Sequence, residues 1–156
     1  MKVAALALLL LTGCVTDRVL AVEVRPPRDA TGGPAIPEDV VSWELWLERL
    51  SDGQGCGAVE DAASGRAFGE PAAMQVFDDT LGMGMAFGEI PEGRWSLRAL
   101  ARTAGCDVRL YGCTEFALGE AAPATVSVPV EAVAPVATCG CRGCAEGVCG
   151  AAEVCP

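Results

Sequence analysis

The chain has 156 residues, 21 of them acidic against 11 basic, and no histidine. Its net charge of −10 repels phosphate backbones, which argues against nucleic-acid binding. The lack of histidine removes the usual general base for a Ser or Cys nucleophile and the commonest ligand of catalytic zinc; with no Walker loop, Rossmann fingerprint or Gly-x-Ser-x-Gly elbow either, neither an enzyme nor a cofactor is expected.

Behind Met1-Lys2 the chain is apolar from Val3 to Leu11, far short of the about 20 apolar residues a spanning helix needs. A charged start, a short apolar stretch and small residues before a cut have the layout of a secretory signal. The stretch closes on Leu11-Thr12-Gly13-Cys14. This resembles the lipobox of bacterial lipoproteins: Leu, a small residue, Gly or Ala, then Cys. The resemblance implies a diacylglycerol on the Cys14 thiol, cleavage just before it, and a third acyl chain on the freed amine. One acyl chain binds a bilayer marginally and two hold it firmly, so three anchor the protein. Val15 rather than Asp follows the cysteine, which by resemblance to the sorting rule of enteric lipoproteins implies the outer membrane. Residues 1–13 are read as signal peptide. The mature chain then holds ten arginines and 21 acids, a charge of −11, and no further apolar stretch long enough to cross a membrane.

Residues 14–37 are expected to be a lipidated tether containing a first strand at Arg18–Val24, which Pro26-Pro27 would end. Residues 38–132 are read as a folded domain. Val41–Glu48 alternates apolar and polar except at Trp46, the pattern of a half-buried strand. A helix opened by Pro37-Glu38-Asp39, with Val40, Trp43, Leu47 and Leu50 on one stripe, competes with it, but aromatics and paired valines favour the strand. Residues 51–72, rich in Gly, Ala, Asp and Ser, read as a loop carrying Cys56.

After the turn Pro91-Glu92-Gly93, Trp95, Leu97, Ala99 and Ala101 share one face, and Arg94, Ser96, Arg98 and Arg102 the other, with Leu100 the one apolar exception. This predicts an antiparallel sheet with one face open to water. Val108 and Leu110 alternate next, then Val126, Val128 and Val130; Pro129 places that last strand at an edge. Short strands at this spacing predict an all-β fold, a small antiparallel β-sandwich. Pro91, Gly93, Trp95, Leu97 and Ala99 resemble the turn-and-strand of transthyretin-like and other immunoglobulin-like domains of exported bacterial proteins. The resemblance implies that the glycine permits the turn and the aromatic fills the core.

With Cys14 reserved for lipid, eight cysteines remain: Cys56, Cys106, Cys113, Cys139, Cys141, Cys144, Cys149 and Cys155. An even number in an oxidising compartment predicts disulfides. Three lie in the body and five in the last eighteen residues, so full pairing requires an odd number of body-to-tail bridges. If Cys106 and Cys113 end one extended segment, they lie about 23 Å apart at ~3.3 Å per residue, beyond the ~7 Å limit of a disulfide. Cys56 is then the natural partner of one of them; a tight turn inside the segment would reverse this.

The tail, residues 133–156, is expected to be a disulfide-stapled knot, because so short a segment buries no core. Its Cys-x-Cys and Cys-x-x-Cys spacing is also metallothionein-like, which would imply a soft-metal site. A redox pair at Cys141 and Cys144 is the third reading, disfavoured by glycine-rich surroundings with no helix to lower a thiol pKa. Glu60-Asp61 and Asp78-Asp79 lack the ligand spacing of a calcium loop and read as solvated turns. Trp46 would mark a binding patch if exposed; cover by the tail or by residues 51–72 is expected instead. The sequence as a whole therefore predicts a membrane-anchored envelope lipoprotein with a non-catalytic interaction or structural role, toward an envelope protein or polymer. A metal-binding lipoprotein using the tail thiolates is the alternative.

Overall fold

A computed structural model describes residues 18–77, 85–119 and 125–136. Among them eight strands and one short helix follow in the order β1 (Arg18–Arg25), β2 (Val40–Arg49), α1 (Val59–Ala63), β3 (Glu70–Phe77), β4 (Met85–Ile90), β5 (Gly93–Thr103), β6 (Val108–Leu118), β7 (Thr125–Pro129) and β8 (Glu131–Val136). The fold is an all-β sandwich. One sheet has the order β3-β2-β5-β6-β8 and the other β4-β1-β7. The larger sheet is antiparallel throughout.

The strand reading of residues 41–48 is borne out, β1 forms where β-branched residues suggested a first strand, and β5 forms where the period-two apolar pattern places it. Pro26-Pro27 follow β1 directly, since proline supplies no N–H to a ladder. Beyond them the chain makes a compact turn on Asp29, whose Oδ1 accepts from the Thr31 and Gly33 N–H groups at 2.8 and 3.0 Å. Pro129 closes β7, an edge strand as expected. Gly93, the turn glycine, has φ 148°, a backbone region open to glycine at little cost.

The core between the sheets is built from Leu20 and Val22 of β1, Trp43, Leu45 and Leu47 of β2, Phe87 and Ile90 of β4, Trp95, Leu97, Ala99 and Ala101 of β5, Leu110 of β6, and Val126 and Val128 of β7. Trp95 thus fills the core, its indole N–H donating to the Pro91 carbonyl at 3.1 Å.

Four expectations are corrected. The polar face of β5 is not open to water: Arg94 is exposed at its start, but Ser96 and Arg98 have no accessible surface and Arg102 retains 1%. The second strand is likewise buried on both faces rather than half-buried, down to Glu44 and Glu48. Residues 51–72 are not simply a loop. They include α1 and the start of β3, and they fold back as a third layer, where Ala62 and Ala63 pack with Trp46, Leu100 and Val108. The sheets are also not wholly antiparallel, because β1 and β7 pair in parallel from Ala21↔Thr125 to Arg25↔Pro129.

Candidate functional site

Beneath the third layer lies a closed stratum of charge. Glu44 and Glu48 sit four residues apart on β2, and Arg98 and Arg102 four apart on β5, so both pairs point to the same outer face. Register Trp46↔Arg98 sets each acid diagonal to an arginine. Arg98 Nη2 donates to Glu48 Oε1 at 3.2 Å. Arg102 Nε lies 2.8 Å from Glu44 Oε1, an ion pair whose N–H direction misses hydrogen-bond alignment. The Arg98 guanidinium lies 4.6 Å from the Trp46 ring centroid and 4.5 Å from that of Phe68, held between two aromatic faces by cation–π attraction.

These buried groups hold the covering segment by its backbone. Arg98 Nη1 donates to the Arg66 carbonyl at 2.6 Å, and Arg102 Nη1 to those of Ala63 at 3.3 Å and Cys106 at 3.0 Å. The Phe68 N–H donates to Glu48 Oε1 at 3.2 Å, and the Tyr111 hydroxyl to the Gly57 carbonyl at 3.0 Å. Burial pushes the Glu48 carboxyl up, with Arg98 pulling it back, and pushes the Arg98 guanidinium down. Desolvation also pushes the Tyr111 phenol up to about 12. None of these four charged residues was singled out as a site from sequence. The signal was present: two acids at i, i+4 on one strand and two arginines at i, i+4 on another.

Of the residues singled out, Cys56 and Cys113 form a disulfide with Cα atoms 5.8 Å apart. The bridge fastens the covering segment to β6, beside the hydrogen bond from the Cys56 N–H to Glu115 Oε1 at 2.8 Å. Cys106 is also disulfide-bonded. Cys14, Cys139, Cys141, Cys144, Cys149 and Cys155 lie outside the described residues, as do Asp78-Asp79. Trp46 is covered by the 51–72 segment, one of the two covers expected, with 6% of its surface accessible. Asp61 pairs with Arg66 at 3.1 Å. Among the described residues no His, Cys, Asp and Glu grouping is arranged to hold a metal ion.

An open cleft of about 480 Å³ lies where β1 ends, lined by Glu23, Val24, Arg25, Pro26, Arg28 and Pro34. Its charged groups already have partners. Arg25 donates to Glu23 Oε2 through Nη2 at 2.7 Å and Nε at 3.0 Å, Ser127 Oγ donates to the same oxygen at 3.0 Å, and Arg28 Nη1 donates to the Gly32 carbonyl at 2.7 Å. The Arg25 and Ser127 hydrogen bonds hold the Glu23 carboxyl below its usual range. Pro26, Pro34 and these paired charges line the cleft.

No protein-family model matches the chain, and no curated protein matches it. Two solved structures resemble it. One is the fimbrial anchor protein Mfa2 from Porphyromonas gingivalis, at a TM-score of 0.43 and 10% identity over 73% of this chain and 49% of that one. The other is a Bacteroides thetaiotaomicron protein (DUF1812) provisionally described as polysaccharide-binding, at a TM-score of 0.45 and 12% identity over 73% of this chain and 47% of that one. The chain thus spans about half the length of the structures it matches.

Proposed function

We propose that the protein is a cell-envelope lipoprotein, anchored through Cys14 in the outer membrane, with a non-catalytic interaction or structural role toward an envelope protein or polymer. The observation that carries this reading is the Cys56–Cys113 disulfide, since such bridges persist in oxidising compartments and are rare in the cytosol. The lipobox at Leu11–Cys14 supplies the route out of the cytoplasm and the anchor. Cysteine parity supports the same reading. With Cys14 carrying lipid, the partner of Cys106 is one of the five tail cysteines, and the four that remain are enough for two further bridges. The open cleft at the end of β1 is a surface on which a partner can rest.

Intact and peptide mass spectrometry of membrane-extracted protein tests this. A mature chain beginning at Cys14, bearing fatty acyl mass and no alkylatable thiol, is the expected result. A chain still carrying residues 1–13 and recovered from the cytosol overturns it. Several free thiols with a stoichiometric metal by elemental analysis would favour the metal-binding lipoprotein instead.

A further inference from the structure

Where β1 begins sets how far the folded domain can stand from its anchor. Strand β1 starts at Arg18, four residues after Cys14, and four residues of fully extended chain reach at most about 14 Å. A long flexible tether is therefore excluded once Cys14 holds lipid, and the point of attachment is specific. Strand β1 is the middle strand of its sheet, so the chain enters at the centre of one end of the sandwich. Arg18 pairs with Ile90, beside the turn that leads into Gly93. Gly93 in turn faces Leu118, and Trp95 faces Arg49.

The other end of the sandwich is the turn from Thr103 to Val108. There Cys106 N donates to the Thr103 carbonyl at 2.9 Å, and Thr103 Oγ1 accepts from the Gly105 and Asp107 N–H groups. The β8 strand ends at Val136 opposite Val108, so the cysteine-rich tail departs from this end as well. The eleven residues of β5 separate the two ends by roughly 35 Å at ~3.3 Å per residue.

We propose that the bilayer surface faces the Ile90–Gly93 end of the sandwich, and that the Thr103–Val108 turn with Cys106 and the root of the tail points away from the membrane. The partner at the near end is the lipid headgroup layer, and the far end is the face offered to the rest of the envelope. This orientation rests on the anchoring of Cys14 proposed above.

The mature chain has no lysine, which permits a direct test. Glu92→Lys and Ala104→Lys each place one amine at an exposed position, at opposite ends of β5. Each variant, purified from membranes with its acyl chains, is labelled with an amine-reactive fluorophore at a site verified by peptide mapping. It is then reconstituted into phosphatidylethanolamine–phosphatidylglycerol vesicles carrying a headgroup nitroxide. Severalfold stronger quenching at position 92 than at position 104 is expected. Equal quenching in protein that floats with the vesicles overturns the orientation while leaving the anchor standing. Protein that does not float overturns both. In a second pair of variants, ten Gly/Ser residues inserted after Asp17 should erase the difference between the two sites. A difference that survives the insertion means the short reach does not orient the domain, and the inference fails.

Discussion

Glu48 of β2 and Arg98 of β5 meet at 3.2 Å, and neither side chain reaches solvent. Charges so placed are stable only as a pair with their remaining hydrogen-bonding capacity answered. Here the covering segment answers part of that capacity, through the Phe68 N–H and the Arg66 carbonyl, while the buried Glu48 Oε2 and Arg98 Nε have no hydrogen-bond partner among the described residues. Sheet and cover therefore specify each other.

Breaking this pair from one side should be costly. Arg98→Ala or Glu48→Ala leaves one buried charge without its counter-ion, an expected loss of about 3–5 kcal/mol. The double replacement Glu48→Leu with Arg98→Met restores apolar contact and should recover most of the loss. Urea unfolding of the three variants measures this. Singles as stable as the parent would show that water reaches the pair.

The Tyr111 phenol provides a spectroscopic check on the same cover. It is the chain's single tyrosine, and burial pushes it up to about 12. An unfolded tyrosine titrates near about 10. The folded state therefore keeps its proton where the unfolded state has released it. This contribution to stability is fully present below about pH 10 and is lost as pH rises through about 12. Phenolate absorbance should show the high midpoint in the native protein and the ordinary one in denaturant. An ordinary midpoint in the native protein would mean that the covering segment does not bury the phenol.

The Cys56–Cys113 bridge closes a loop with a sequence separation of 57. The chain-entropy relation assigns such a loop about 4 kcal/mol. Replacing both cysteines with serine should lower stability by an amount of that order in urea unfolding. A loss below about 1 kcal/mol would mean that the arginine–carbonyl contacts alone seat the covering segment.

Gly112 is buried where β6 passes the β7–β8 corner. An added Cβ would stand 2.1 Å from the Pro129 carbonyl oxygen and 2.8 Å from Val130 Cγ1. Because the nearer obstacle is backbone, Gly112→Ala must displace the corner, with an expected loss of about 1–3 kcal/mol. Thermal unfolding of the variant, with Gly119→Ala as an unobstructed control, checks this.

Much of the larger sheet was legible in the chain. The alternation through Trp95, Leu97, Ala99 and Ala101 identified the inner face of β5, because a strand sends successive side chains to opposite sides. The reach of an extended Cys106–Cys113 segment pointed to Cys56 as a partner, and the structure pairs it with Cys113. The smaller sheet was less legible. The parallel pairing of β1 with β7 joins Ala21 to Thr125 across most of the chain, and no local pattern encodes which distant strand a strand adopts.

By itself, then, the sequence determined which residues of β5 share a face and that the strand holding Pro129 lies at an edge, and it pointed to Cys56 as a partner for Cys106 or Cys113. Only the tertiary structure decided what covers the outer face of the larger sheet. Alternation reports that Arg98 and Arg102 point together, and it reads the same whether water or a folded-back segment meets them. Burying four charges is settled by partners far away in the chain: Glu44 and Glu48 diagonally across the sheet, and the carbonyls of Ala63 and Arg66 above it.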